Sequence, residues 1–327
     1  MIRIESYPSF LQFRFPFRIA HGERLGTDVV FVKLTMDGVI GFGEATLPPY
    51  LGVTIADVMN AFKREGLSQA LNLPEPNAWF EALNATIPDV MPALAAIDMA
   101  RWSIYTQLTN RKVYEHVGHD SPSTKVPHTY TLGVSSLNEM SEKLLFALDN
   151  GFELFKLKLD GKNDRLQIDN FRSLSTAPFA IDVNQAWTDL KQAEQLLDIL
   201  EEEGCILIEQ PFVASDRALT RLLSEKTEIP VIADESCQSI TDLLELLEVF
   251  DGVNVKLQKC GGITPAIQQL KCLKEAGKRA LIGCMSESSV GCNAAEQLTF
   301  LCDWADLDGP YLNVNNEKCC LELGYSL

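Results

Sequence analysis

Five short apolar runs between Phe155 and Lys259 each deliver a charged side chain. Phe-Lys-Leu-Lys-Leu brings Lys156 and Lys158, and Ala-Ile-Asp-Val-Asn brings Asp182 and Asn184. Ile-Leu-Ile-Glu-Gln-Pro brings Glu209, Val-Ile-Ala-Asp-Glu-Ser brings Asp234 and Glu235, and Val-Asn-Val-Lys-Leu-Gln-Lys brings Lys256 and Lys259. Asp182, Glu209 and Asp234 form an all-oxygen donor set with no cysteine or histidine among them. Such a set suits a hard cation, Mg²⁺ first, with one ion in the site. Lys158 precedes the three carboxylates and Lys256 follows them. An amine beside such an ion can remove the proton α to a carboxylate while the metal stabilises the enediolate.

The spacing says what must position these groups. Lys158, Asp182, Glu209, Asp234 and Lys256 follow one another at intervals of 22 to 27 residues. A strand, a loop, a crossover helix and a second loop take roughly 25 to 30 residues. Each charged residue therefore falls at the C-terminal end of a strand in a repeating βα unit. In a β/α barrel those ends converge on one face, where chemistry is done.

Taken in order, the chain predicts strands over 2–14, 27–36 and 39–45, with Asp37-Gly38 as a two-residue hairpin turn. Residues 16–26, with Gly22 and Gly26 and mixed charge, read as a mobile loop in which His21 and Arg24 are either solvated or in reach of a ligand. Helices are expected over 54–72 and 76–108, with Asp98 a buried hydrogen-bonding residue or the partner of Arg101. Barrel strands are expected at 126–134, 151–159, 179–184, 205–210, 230–235, 252–257, 279–284 and 297–304. Helices separate them at 136–149, 164–176, 189–203, 215–225, 240–249, 263–276 and 289–296. His128, inside the first of these strands, reads as a core histidine. The fold class is α/β, a (β/α)₇β barrel of the TIM type with an N-terminal α+β unit. The boundaries are 1–120 for that unit, with 311–327 packing back on it, and 121–310 for the barrel. After the eighth strand, Asp306 and Asp308 stand on the same rim, either as a cation site or as ordinary Asp-x-Asp-Gly-Pro turn chemistry.

The motifs resemble the enolase superfamily, and within it the muconate lactonizing enzyme subgroup. They are Lys156-Leu-Lys158, Asp182-Val-Asn184, Glu209-Gln-Pro211, Asp234-Glu-Ser236 and Asn254-Val-Lys256. The resemblance implies that the N-terminal unit is a capping domain whose loops at 16–26 and 48–53 close over the site. It implies that Asp182, Glu209 and Asp234 ligate Mg²⁺ and that Lys158 and Lys256 are acid/base residues on opposite faces of a substrate. Lys156 would lower the pKa of Lys158 as a neighbouring cation. Asp306-Leu-Asp308-Gly-Pro is similar to the motif with which dipeptide epimerases hold a substrate ammonium. Gly283-Cys-Met285-Ser286-Glu287-Ser288 also resembles that group, which places Met285, Ser286 and Glu287 at the substrate. Arg24 comes slightly later than the arginine of alanyl-glutamate epimerases, so both an acidic and an apolar second residue stay open. The implied reaction is Mg²⁺-dependent epimerisation of a dipeptide at its C-terminal residue by two-lysine 1,1-proton transfer. The alternative is a lyase on the same scaffold, an o-succinylbenzoate synthase or a muconate cycloisomerase.

Composition adds exclusions. A net charge of −17 argues against nucleic acid or an anionic membrane as partner. No apolar run reaches membrane-span length, and the start does not read as a signal peptide. Nine cysteines, none before Cys205 and none in a C-x-x-C pair, read as reduced thiols in a cytoplasm. The partner is a small molecule, and a homo-oligomer is compatible with the sequence.

Overall fold

The computed structural model describes residues 2–19, 22–120 and 125–327. His21 lies outside the described residues. Strands β1 (Ile2–Ile19), β2 (Gly22–Met36) and β3 (Val39–Leu47) form an antiparallel meander. Its second turn has Asp37 at φ +50° and Gly38 at φ +84°, as a two-residue hairpin requires. Where a loop is expected at 16–26, the described residues 16–19 and 22–26 are instead β-structure: Phe17 pairs with Arg24 and Arg18 with Glu23 after a register shift beyond Gln12. The period-2 run Phe13, Phe15, Phe17, Ile19 was the signal for strand, and the glycines masked it.

The helical stretch that follows is broken more often than periodicity predicts. It forms α1 (Ile55–Ala61), α2 (Leu67–Leu71), α3 (Pro76–Thr86), α4 (Met91–Thr109) and α5 (Val113–His116). Gly66, at φ +96°, separates the first two, and Pro92 starts α4 in its first turn. Helix α4 lies on β3 so closely that a Cβ at Gly41 or Gly43 would enter the backbone of Ala100 or Ala96. Asp98 on α4 is the hydrogen-bonding residue, not the partner of Arg101. It accepts from Trp79 Nε1, Thr264 N and Thr264 Oγ1, each at 2.9 Å, while Arg101 donates to the carbonyls of Leu71 and Leu73. Burial pushes the Asp98 carboxyl up to about 6.

The remaining chain is the barrel. Its strands are β4 (Thr129–Leu132), β5 (Leu154–Lys158), β6 (Phe179–Asp182), β7 (Cys205–Glu209), β8 (Val231–Ala233), β9 (Gly252–Lys256), β10 (Arg279–Gly283) and β11 (Trp304–Asp306). Each pairs in parallel with the next, and a bridge from His128 to Ala305 brings the last strand against the first. The helices are α6 (Leu137–Asp149), α7 (Asp164–Leu174), α8 (Leu190–Glu202), α9 (Arg217–Ser224), α10 (Ile240–Leu246), α11 (Leu257–Cys260), α12 (Ile263–Glu275), α13 (Ser289–Glu296), α14 (Gly309–Leu312) and α15 (Asn316–Leu323). Two expectations are corrected here. The eighth strand starts at Trp304, because 299–301 form a 3₁₀ turn. His128 is half-buried at the closing seam, 3.5 Å from Glu296, and is not in the core. Helix α15 lies on β1, where Asn315 bonds Gln12 N at 2.9 Å and Phe10 O at 2.8 Å. All nine cysteines are free thiols. Among the described residues no helix is long and apolar enough to cross a membrane.

Candidate active site

The strands deliver their charged residues at one height. Lys158, Asp182, Glu209 and Lys256 are the last residues of β5, β6, β7 and β9, and Asp234 follows β8 directly. Lys158 pairs in register with Asp182, and Asp182 with Glu209. Asp182, Glu209 and Asp234 are at most 5% exposed, and one carboxylate oxygen from each lies within 4.8 Å of the others. Side chains two apart on a strand share a face, so Lys156 and Asn254 stand one layer below Lys158 and Lys256. Asn254 donates to Glu209 at 2.8 Å from that lower layer.

Four lysines balance these carboxylates. Lys158 Nζ is 2.5 Å from Asp182, and Lys256 and Lys259 are each 2.7 Å from Asp234. Lys156 lies 3.1 Å from Glu209 and 3.7 Å from Asp182, and it also pairs with Asp306. Burial alone would raise Asp234, yet Lys256 and Lys259 hold it far below the carboxylate range. Glu209 is pushed up to about 7 by burial and by the charge of Asp182. Burial would lower Lys256 and Lys156, but neighbouring carboxylates hold both ammonium groups well above the usual lysine value.

A cavity of about 210 Å³ opens onto this cluster. Its lining is Phe17, Arg24, Tyr50, Lys158, Asn184, Gln185, Asp234, Glu235, Lys256, Cys284, Met285 and Ser286. A larger cavity, about 400 Å³ and bordered by Phe42, Trp102, Arg111 and Tyr325, has no carboxylate in its lining. Phe17, Arg24 and Tyr50 come from the N-terminal unit, so both predicted segments reach the mouth. Tyr50 exposes its ring but turns its hydroxyl onto the Met285 sulfur. The Arg24 guanidinium lies 5.6 and 5.7 Å over the rings of Phe13 and Phe17. Its Nη1 is buried without a hydrogen-bond partner among the described residues, and burial lowers its pKa. Asn184, Gln185 and Ser286 hold φ of +46°, +66° and +68° around this cavity, a concentration of strained backbone typical of binding sites.

Six sequence candidates lie outside the lining: Asp182 and Glu209 of the triad, and Lys156, Asp306, Asp308 and Glu287. Lys156 is 1% exposed and engages Asp306 and Glu209, one layer deeper than Lys158. Asp306 accepts from Lys156 and from Thr129 Oγ1 (2.6 Å), while Asp308 accepts from Thr131 N (2.6 Å). Lys156 holds Asp306 low against the effect of burial, whereas burial and the Asp306 charge push Asp308 up to about 7. Glu287 turns away to accept from Met285 N and Gln258 Nε2. Tyr50 and Gln210 had no assigned role in the sequence reading. Gln210, at φ +37°, accepts from Asp234 N (2.9 Å) and Ser236 N (3.0 Å) and so orients the third carboxylate. A glutamine after Glu209 gives no sequence signal for that task.

The three carboxylates fit a hard divalent cation. They are dry and converge within 4.8 Å, and Asp182 repels Glu209 strongly enough to help raise its pKa.

Comparison with known proteins agrees with this geometry. The family model "Mandelate racemase / muconate lactonizing enzyme, N-terminal domain" matches residues 2–118, and "Enolase C-terminal domain-like" matches 139–307. An L-Ala-D/L-Glu epimerase of Bacteroides thetaiotaomicron is 32% identical over 320 residues, 97% of this chain and 82% of that one. An N-succinyl-L-Arg/Lys racemase of Bacillus cereus is 30% identical over 311 residues, 91% of this chain and 83% of that one. The crystal structure of a dipeptide epimerase from Enterococcus faecalis, complexed with Mg and L-Leu-L-Tyr, superposes with a TM-score of 0.86. That match is 27% identical and covers 95% of this chain and 91% of that one. The chain belongs to the enolase superfamily, with the N- and C-terminal domains of its mandelate racemase and muconate lactonizing enzyme branch.

Proposed function

We propose that this protein is an isomerase that inverts the α-carbon of the C-terminal residue of a dipeptide, with Mg²⁺ held by Asp182, Glu209 and Asp234. One observation carries the reading. Lys158 ends β5 and Lys256 ends β9, four strands apart and so on opposite sides of an eight-stranded barrel, and both line the cavity. The strands between them carry the carboxylate triad. Inversion needs a base on each face of the α-carbon, and this placement supports that reading. Relatives named as L-Ala-D/L-Glu epimerases and a dipeptide epimerase complexed with Mg and dipeptide support the reaction and the metal.

The metal, when bound, supplies positive charge that offsets the triad and stabilises the substrate carboxylate as its α-proton leaves. With that offset Lys256 and Lys158 can exchange protons: one takes the α-proton from one face and the other returns a proton to the opposite face. Phe17 and Tyr50 close the mouth and exclude water. Arg24 holds a buried N–H in the wall with no hydrogen-bond partner among the described residues, which suits a carboxylate side chain on the second residue. Asp308, together with Asp306, takes the substrate ammonium. The nine free thiols suit a reducing cytoplasm.

A second reading rests on one observation: Asp306 and Asp308 lie behind the lining, and Lys156 already pairs with Asp306. A substrate without an ammonium, such as an N-succinyl amino acid, would make no demand on them. Proton NMR in D₂O with Mg²⁺ separates the readings, using Ala-Glu, Ala-Leu, Ala-Lys and N-succinyl-lysine. Loss of the C-terminal α-proton signal with growth of the other diastereomer, fastest on Ala-Glu, is expected. Exchange on N-succinyl-lysine alone selects the second reading. Exchange on none returns the lyase alternative.

A further inference from the structure

A small cavity of about 20 Å³ lies where β1 meets the barrel. Phe13, Phe15 and Phe17 wall it from β1, Tyr130 and Thr131 from β4, and Lys143 from α6. Two polar groups of its lining are buried without hydrogen-bond partners among the described residues: the ammonium of Lys143, 4% exposed, and the hydroxyl of Tyr130, 0% exposed. Nearby charges do not meet this need. Glu139 is taken by Arg18 at 2.9 Å and by Ser136, and Asp308 is taken by Thr131 N. Arg18 and Arg14, the other charged neighbours, add positive potential. The Phe15 ring is 6.0 Å from Lys143 Nζ, a weak cation–π contact that leaves the N–H donors unsatisfied.

Burial disfavours an ammonium without a partner and lowers the Lys143 pKa, so the protein gains by placing an anion there. Size decides which one. A cavity of about 20 Å³ suits one monatomic ion better than a three-atom carboxylate, a phosphate or a sulfate. We propose that this cavity binds a single halide ion, chloride in solution, held by the Lys143 ammonium and the Tyr130 hydroxyl. The ion joins the N-terminal strand to the barrel, because the walls come from both. Phe17 faces this cavity on one side and the substrate cavity on the other, so the ion also fixes a wall of the mouth. The inference does not depend on which reaction the site performs.

Two measurements test it. A crystal soaked in sodium bromide should show an anomalous peak in contact with Lys143 Nζ and the Tyr130 hydroxyl. Thermal unfolding in sodium chloride, against sodium gluconate at equal ionic strength, should show a saturable rise in Tm of roughly 2 °C or more. Lys143→Met should abolish that difference and Tyr130→Phe should reduce it. No bromide peak means that an ordered water fills the space, and the proposal falls. It falls equally if chloride and gluconate act alike on the wild type, or if Lys143→Met keeps the full chloride effect.

Discussion

Two clusters of buried carboxylates sit in this protein, and they are satisfied in opposite ways. The triad faces Lys156, Lys158, Lys256 and Lys259 and reaches a cavity through Asp234. The other pair, Glu44 and Glu287, lies at the seam between β3 and the start of α13. Glu44 accepts from Ser288 N (2.9 Å), Gly291 N (3.0 Å), Thr46 Oγ1 (2.7 Å) and Ser288 Oγ. Glu287 accepts from Met285 N (3.0 Å) and Gln258 Nε2 (3.1 Å), and Gln258 also donates to Glu44 O. Amides and hydroxyls at a helix N-terminus satisfy a carboxylate in place and leave nothing to exchange. Lysine ammonium groups satisfy it with mobile charge, which a metal ion and a substrate can displace. Burial and charge repulsion are common to both clusters. The donors differ, and that difference separates a binding centre from a structural joint.

The largest effects should come from the triad. Asp182→Asn or Asp234→Asn should weaken Mg²⁺ binding in calorimetry by at least ~10²-fold and activity by ~10³-fold or more. Retention of wild-type Mg²⁺ affinity in both would move the metal elsewhere. Lys158→Ala and Lys256→Ala should each lower epimerisation by ~10³-fold or more. Each variant should still wash the α-proton out of the one epimer that its surviving lysine faces. If both wash out the same epimer, the lysines do not act on opposite faces.

The contrast also explains what was legible in sequence. The barrel and its charged strand ends could be read because Lys158, Asp182, Glu209, Asp234 and Lys256 recur at one βα interval, and the fold converts a regular interval into convergence. The structure adds depth: Lys156 and Lys158 look equivalent in the motif, but the pleat puts one in the lower layer with Asp306 and the other in the lining. Partners distant in sequence were not legible. Nothing in Phe-Gly-Glu-Ala predicts that Glu44 caps α13, 244 residues later, or that Gln258 reaches Glu287. The strand pairing of 17–19 with 22–24 was lost for a different reason. Gly22 and Gly26 are loop signals locally, but pairing of Phe17 with Arg24 and packing of the Phe run override them.

Middle-sized effects test how far the lysine-balanced region extends. Asp306→Asn should lower kcat/KM on dipeptides with a free ammonium by roughly 10- to 100-fold, with little change on N-succinyl substrates. An equal loss on both would assign Asp306 to holding Lys156 rather than to substrate. Arg24→Met should raise KM for Ala-Glu by roughly 10-fold and leave Ala-Leu nearly unchanged, measured as a KM-against-kcat split. A uniform loss on the two dipeptides would make Arg24 a packing residue on Phe13 and Phe17.

The smallest catalytic effect, with a distinct signature, should come from the structural pair. Burial and the neighbouring Glu44 push Glu287 up to about 8, against 4.5 for an ordinary glutamate. A carboxyl raised on folding binds its proton more tightly in the native state. Its contribution to stability is complete below about 4.5, is lost as pH rises, and is gone above about 8. Urea unfolding in EDTA at pH 5, 6.5 and 8 should therefore show wild-type stability falling across that window. Glu287→Gln cannot titrate, so its line should be flatter by roughly a few kcal/mol across the window. Its turnover at saturating substrate should change little, because Glu287 does not line the cavity. Parallel lines for the two proteins would mean that Glu287 folds already ionised, held by Met285 N and Gln258 Nε2 alone. A large loss of turnover with the wild-type slope kept would move Glu287 out of the structural joint and into the lysine-balanced centre, and the division by donor type would fail at the residue that directly follows the lining residues Met285 and Ser286.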